Sequence, residues 1–131
     1  MAQSKHTTIT DYRRELFCKI TSGAVSTLPA VTHIAFGDGG LGTDGQPLDP
    51  AGTQTALNHE VGRYPLDTAP VYPVPTTARY TATIPKADLA GVEISEAALI
   101  DSAGGLCAIR NMLPKGKDED VAFTFTFDDE F

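Results

Sequence analysis

The sequence predicts an α+β domain in which an antiparallel sheet or a small β-sandwich packs beside an N-terminal amphipathic helix and one short helix. Apolar residues recur at helical spacing only near the amino terminus, whereas the second half alternates apolar and polar residues between turn signals. A chain of 131 residues can bury roughly two-thirds of its unfolded surface around one core. Residues 1–131 are therefore predicted to form a single domain.

The helix is predicted over residues 8–22. Thr8 or Thr10 can cap its start, and Gly23 can end it in a left-handed conformation. The apolar residues of this segment share one side, and the charged residues fall mostly on the other. The apolar set is Ile9, Tyr12, Leu16, Phe17 and Ile20, and the charged set is Asp11, Arg13, Arg14, Glu15 and Lys19.

Four segments of different character follow the helix. A strand is predicted over Val31–Phe36, buried on at least one face. Six glycines and two prolines in Gly37–Gly52 oppose regular structure, so this segment is predicted to be a long exposed loop that contacts partners. A short helix is predicted over Thr53–Val61, and four prolines in Pro65–Pro75 indicate an extended edge or crossing segment.

The remaining half is predicted to be mainly sheet. The segment Leu106–Leu113 forms a hairpin with the preceding strand across the turn Asp101–Gly105. It is apolar on both faces, so either the first helix or another subunit must cover the second face. The last strand, Val121–Phe127, places Val121 and three phenylalanines on one face. The other predicted segments are Ala78–Ile84, Val92–Ile94 and Ala97–Ile100.

Composition argues against several classes of function. A net charge of −7 makes nucleic-acid binding through a basic patch a poor expectation. No stretch is long and apolar enough for a membrane helix, and the amino terminus lacks the pattern of a secretory leader, which predicts synthesis in the cytoplasm. Cys18 and Cys107 lack metal-site spacing and are predicted to be buried, reduced thiols, with a disulfide between them as the open alternative.

No catalytic, cofactor-binding or metal-binding residue is predicted, and no cofactor. The loop Gly37–Gly45 lacks the Lys-Ser/Thr pair of a phosphate loop and the alternating acidic ligands of a calcium loop. His6, His33 and His59 stand far from one another and from the cysteines. Charged residues near apolar segments are interpreted as forming ion pairs or polar contacts and not as catalysts. These are Glu60, Arg63, Arg79, Glu93 and Glu96.

Four ordered stretches resemble the phage tail-collar fibre family of contractile phage tails and phage-tail-like bacteriocins. They are Leu28-Pro29-Ala30-Val31-Thr32-His33-Ile34-Ala35-Phe36-Gly37-Asp38-Gly39-Gly40, Thr55-Ala56-Leu57-Asn58-His59-Glu60-Val61-Gly62-Arg63, Ile94-Ser95-Glu96-Ala97-Ala98-Leu99-Ile100-Asp101 and Pro114-Lys115-Gly116-Lys117-Asp118. The chain departs from the family pattern at Ala97 and Ala98 and by the insertion of His59.

The resemblance implies a virion structural protein without enzymatic activity, a tail fibre or a fibre-to-baseplate attachment protein. It would be made in the bacterial cytoplasm and assembled into a virion or tail-like particle. The implied partners are baseplate or other fibre chains and further copies of the chain, most simply in a trimer. The alternative is a small carbohydrate- or ligand-binding module that uses the glycine-rich loop Gly37–Gly52 and the rings of Tyr64, Tyr72 and Tyr80.

Overall fold

The computed structural model describes residues 6–131, so the first five residues of the predicted single domain lie outside the described part. It confirms the α+β class, as a small antiparallel β-sandwich with one helix. The elements are β1 (Thr7–Ile9), α1 (Asp11–Thr21), β2 (Val31–Gly37), β3 (Glu60–Pro65), β4 (Val71–Val74), β5 (Thr77–Ile84), β6 (Glu93–Asp101), β7 (Leu106–Gly116) and β8 (Phe123–Glu130).

Two sheets face each other across the main core. The larger sheet has the strand order β1-β7-β6-β2-β3, and the smaller has the order β4-β5-β8. The chain passes from the larger to the smaller directly after β3, where Leu66 bridges Ala82 of β5. The predicted β6–β7 hairpin is confirmed, and so is the proline-rich edge, which contains β4.

The aromatic residues of β8 point into the core, as predicted. The ring of Phe36 on β2 makes edge-on contacts with Phe123 and Phe125, at centroid distances of 6.2 and 5.6 Å. Phe127 is 1% exposed. The prediction for Val121 was wrong: this residue precedes the strand and is exposed, because β8 begins two residues later.

The larger sheet is also buried on its outer face. Ala35, Ala98 and Ile109 are cross-strand partners there and form a second apolar cluster with Leu57, which comes from the segment between β2 and β3. This cluster explains why β7 is apolar on both sides. The irregular segment of the same chain covers Ile109, so this residue requires neither the helix nor a second subunit, whereas Leu113 farther along β7 is 53% exposed.

Helix α1 has the predicted Thr10 cap and is followed by the predicted glycine, but it is shorter than residues 8–22. The Thr10 side chain accepts a hydrogen bond from the Arg13 amide, and Gly23 follows the helix with a φ of 83°. The residues before Thr10 form β1, which pairs with β7. Two predictions were wrong, because Arg13 is buried although it was placed on the polar side, and Cys18 is exposed.

Two further differences concern strand and helix boundaries. The predicted helix over Thr53–Val61 is absent; the segment forms turns and then enters β3 at Glu60. The amides of Asn58 and His59 donate to the Glu96 side chain, which removes them from helical bonding. The segments predicted as Val92–Ile94 and Ala97–Ile100 belong to one strand, β6, which carries an irregularity between Ile94 and Glu96.

Candidate functional site: a loop anchored on Glu96

A buried carboxylate at the start of β6 holds the irregular segment between β2 and β3, residues 38–59, which we call the anchored loop. Glu96 is 0% exposed. Its Oε2 accepts the amides of Gly39 and His59 at 2.9 and 2.8 Å, and its Oε1 accepts the amide of Asn58 at 2.9 Å. Three backbone donors stabilise the charged form of a carboxylate and compensate its removal from water.

Glycine is required where the anchored loop leaves β2. A side chain at Gly37 would overlap with the Glu96 carboxylate and the His59 carbonyl, and one at Gly40 would overlap with the Ser95 backbone. Because Gly40 lies this close, its amide donates to the Ser95 hydroxyl at 2.9 Å. These glycines therefore permit a close approach between loop and strand, and a chain with side chains here would lose the Glu96 contacts.

Side chains complete the fixation of the loop at both ends. His59 Nδ1 contacts the Asp38 carboxylate, and this hydrogen bond raises the pKa of the exposed imidazole. Asn58 Nδ2 donates to the carbonyl of Gly39 at 2.9 Å. Farther along, Asn111 on β7 donates to the carbonyl of Leu48 at 2.9 Å. The loop is thus tied to the sheet at separate points, with residues 43–46 left exposed between them.

Three of the four stretches that carry the family resemblance meet at this site. They contribute the Gly37–Gly40 exit from β2, the Asn58 and His59 amides, and the Ser95-Glu96 pair of β6. No protein-family model matches the chain, and no curated protein sequence matches it. In this molecule, three stretches that are far apart in sequence form one structural unit around Glu96.

The chemistry of Glu96 is that of a positioning group. Both oxygens accept backbone hydrogen bonds, and the side chain has no solvent-accessible surface from which to take a proton from a substrate. Within residues 6–131, no three His, Cys, Asp or Glu side chains are grouped as metal ligands. No helix in that range is long and apolar enough to cross a membrane.

The tyrosines considered for ligand stacking do not act together. Tyr72 and Tyr80 line a cleft of about 240 Å³ between α1 and β4, with Pro70 at its wall. Tyr64 lies elsewhere: its ring packs on Phe36 at a centroid distance of 6.1 Å. Of the three tyrosines, only Tyr72 and Tyr80 could therefore contact one ligand together.

The other charged residues that the sequence singled out lie outside the Glu96 site. Arg63 pairs with Glu60 at 3.0 Å, in agreement with the ion-pair interpretation. Arg79 pairs with Asp128 across the smaller sheet at 2.8 Å. Glu93 is exposed at the start of β6. His6 contacts Asp49 and His33 contacts Thr32, so each of the three histidines has a different side-chain partner.

Sequence reasoning missed one other buried charge pair. The Arg13 guanidinium makes two contacts with the Asp129 carboxylate, at 2.8 and 2.6 Å, and lies over the rings of both Phe17 and Phe131. This cluster joins α1 to the end of β8 beside Cys107. Burial raises the pKa of the Cys107 thiol to about 12, so this sulfur is a poor nucleophile and a poor metal ligand.

Proposed function

We propose that this chain is a structural component of a phage or phage-tail-like particle, acting as a tail fibre or as a fibre-to-baseplate attachment protein, and that it is not an enzyme. The observation that carries the proposal is the meeting of three family-like stretches at Glu96. A buried carboxylate with all its bonds directed to one loop serves to hold that loop in a fixed shape. Fixed loops on a rigid sheet suit recognition between proteins.

The contact surface in this proposal is the exposed tip of the anchored loop, residues 43–46. Partners of this surface are baseplate or other fibre chains. A tip fixed at Glu96 and Asn111 loses little conformational entropy on docking, which favours a lasting attachment. Synthesis in the bacterial cytoplasm and assembly into the particle follow from the same proposal.

Self-association, most simply as a trimer, belongs to the proposal through the family resemblance. The apolar pattern of β7 supports it less strongly, because Leu57 of the anchored loop covers Ile109 and only Leu113 stays 53% exposed among the large apolar residues of this strand. Exposed apolar residues do occur on β4, where Val71, Tyr72 and Val74 are 55%, 67% and 50% exposed. Light scattering at tens of micromolar tests the trimer, and a mass of 13.9 kDa would contradict it.

Deletion of the gene in the bacterium or phage that encodes it tests the main proposal. We expect particles that keep sheath and tube in electron micrographs but lack fibres, and a wild-type copy restores them. Mass spectrometry of purified wild-type particles should detect the chain. A Thr43→Arg copy should fold but fail to join particles, whereas a Thr126→Val copy, altered far from the loop, should join. Particles that never contain the chain would refute the proposal.

A second candidate is a ligand-binding module, supported by the cleft that contains Tyr72 and Tyr80. A glycan array probed with the purified chain tests it. Binding that is lost in Tyr72→Ala and kept in Tyr64→Phe would favour this candidate, because only the first residue lines the cleft.

A further inference from the structure

The two edges of the smaller sheet are protected very differently. One edge is β4, which is flanked and interrupted by Pro70, Pro73 and Pro75. Proline removes backbone donors, and it is one of the devices by which natural sheets prevent strand addition. The other edge is β8, which contains no proline, lysine or arginine over its eight residues. Proline therefore prevents strand addition at β4 but not at β8.

The register shows which backbone groups of β8 are free. Phe131 donates to the Thr76 carbonyl, and the pairing continues without a bulge to Phe123 opposite Ile84. In an antiparallel pair, alternate residues direct both backbone groups at the partner strand. The backbone N–H and C=O groups of the odd-numbered residues of β8 therefore point to β5. Those of Thr124, Thr126 and Asp128 point away from β5, to the free edge. Within residues 6–131, β8 pairs with no strand but β5.

The larger sheet extends beyond β8 on the side of its free edge. Because Phe36 of β2 contacts Phe123 and Phe125, β8 lies over β2, the second strand from one end of the five-stranded sheet. The strands β7 and β1 continue on the far side of its free edge. Antiparallel pairing of two copies through β8 would place their larger sheets in the same space, whereas a single extended segment avoids this conflict.

The charges around β8 indicate the chemistry of such a segment. Residues 118–131 contain six acidic residues and no lysine or arginine. Asp128 and Asp129 are neutralised by Arg79 and Arg13. The exposed residues Asp118, Glu119 and Asp120 before the strand, and the half-buried Glu130 at its end, form no salt bridge within the described part of the chain. Basic residues at both ends of an added strand would complement these two acidic ends.

We propose that the free edge of β8 binds an extended, basic segment of a partner protein by strand addition. The backbone groups of Thr124, Thr126 and Asp128 supply the hydrogen bonds, and the acidic ends select the charge of the partner. The proposal stands independently of the assembly role, because it depends only on β8 and its surroundings. Both exposed threonine side chains lie on the outer face, where they leave the edge accessible.

The probe is a fluorescent synthetic peptide of alternating threonine and valine with a lysine at each end, measured by anisotropy with the full chain. We expect saturable binding that weakens with salt. The same peptide with alternate amides methylated keeps its charge but cannot pair, and we expect it to bind at least about tenfold more weakly. Equal binding of both peptides, or no binding of the first, would overturn the proposal.

Matched variants locate the site. Thr126→Pro removes an outward amide that makes no bond within the described chain, so it should fold and lose binding at least about tenfold. Thr126→Val keeps the amide and should bind as the wild type does. Amide exchange in the free protein should be fast at Thr124 and Thr126 and slow at Phe125. A wild-type chain that is a dimer and a Thr126→Pro variant that is a monomer would show that the edge binds a second copy of the chain. That result would overturn the proposal.

Discussion

The Glu96 site makes a quantitative prediction for Glu96→Gln. The amide oxygen of glutamine can replace Oε2 and keep the bonds from Gly39 and His59, but its NH2 group then faces the Asn58 amide, donor against donor. One buried N–H loses its acceptor, and the other two bonds lose the carboxylate charge. With about 1–3 kcal/mol for an unsatisfied buried group and part of a charge-assisted bond in addition, we expect a loss of about 3 kcal/mol.

The prediction is measured by urea unfolding and by calorimetry, where such a loss lowers the Tm by roughly 10 °C. The control is Glu93→Gln, which removes the same charge from an exposed position on the same strand and should change stability by less than about 0.5 kcal/mol. Hydrogen exchange should accelerate at Asn58 before the core unfolds. Equal stabilities of the two variants would refute the anchoring role of Glu96.

Three further predictions concern the core, the thiols and the loop. Phe125→Ala should destabilise the protein by about 3 kcal/mol or more, because it leaves a cavity beside three rings. The control Thr124→Ala should have a much smaller effect. Equal melting temperatures of the two variants would contradict the assignment of Phe125 to the buried face of β8. Below pH 9 an alkylating reagent should modify exposed Cys18 and spare Cys107, whose raised pKa keeps it protonated until about pH 12; equal labelling of the native chain would contradict the buried thiol. Calorimetry with calcium, zinc or ATP should show no binding to the Gly37–Gly52 loop, and submicromolar binding of any of them would exclude a purely structural loop.

Most regular elements of this fold could be predicted because their periodicity matches their burial. β5 has one half-buried face and β8 one more exposed face, so apolar and polar residues alternate along both strands. β6 is buried on both faces, so apolar and polar residues do not alternate along it. For this reason the sequence predicts two segments, Val92–Ile94 and Ala97–Ile100, where the structure has one strand. The false helix at Thr53–Val61 has the same kind of cause: Leu57 is apolar because it covers the outer face of the sheet and not because it belongs to a helical stripe.

The Glu96 site depends on contacts that sequence spacing does not show. Gly39 and Asn58 reach the same carboxylate only through the fold. The available signal was the position of Glu96, a single charged residue within the otherwise uncharged run from Ile94 to Ile100. A buried charge requires partners, so such a residue marks a point where some distant segment must arrive. Arg13 gave no comparable signal, because helix spacing placed it beside other charged residues.

The pairing of β1 with β7 has a consequence for folding during synthesis. Thr10, at the end of β1, donates its hydroxyl to the carbonyl of Leu106, which lies 96 residues later in the chain. A ribosome that adds about 5–20 residues per second needs roughly 5 to 20 s to make the missing partner strand. During that interval β1 has no partner on β7, and α1, whose cap is Thr10, lacks the sheet on which it docks. The segment of β1 and α1 is therefore made well before its partner strand and completes its tertiary contacts late, and a chaperone that binds nascent chains would find its apolar residues accessible while the next 96 residues are made.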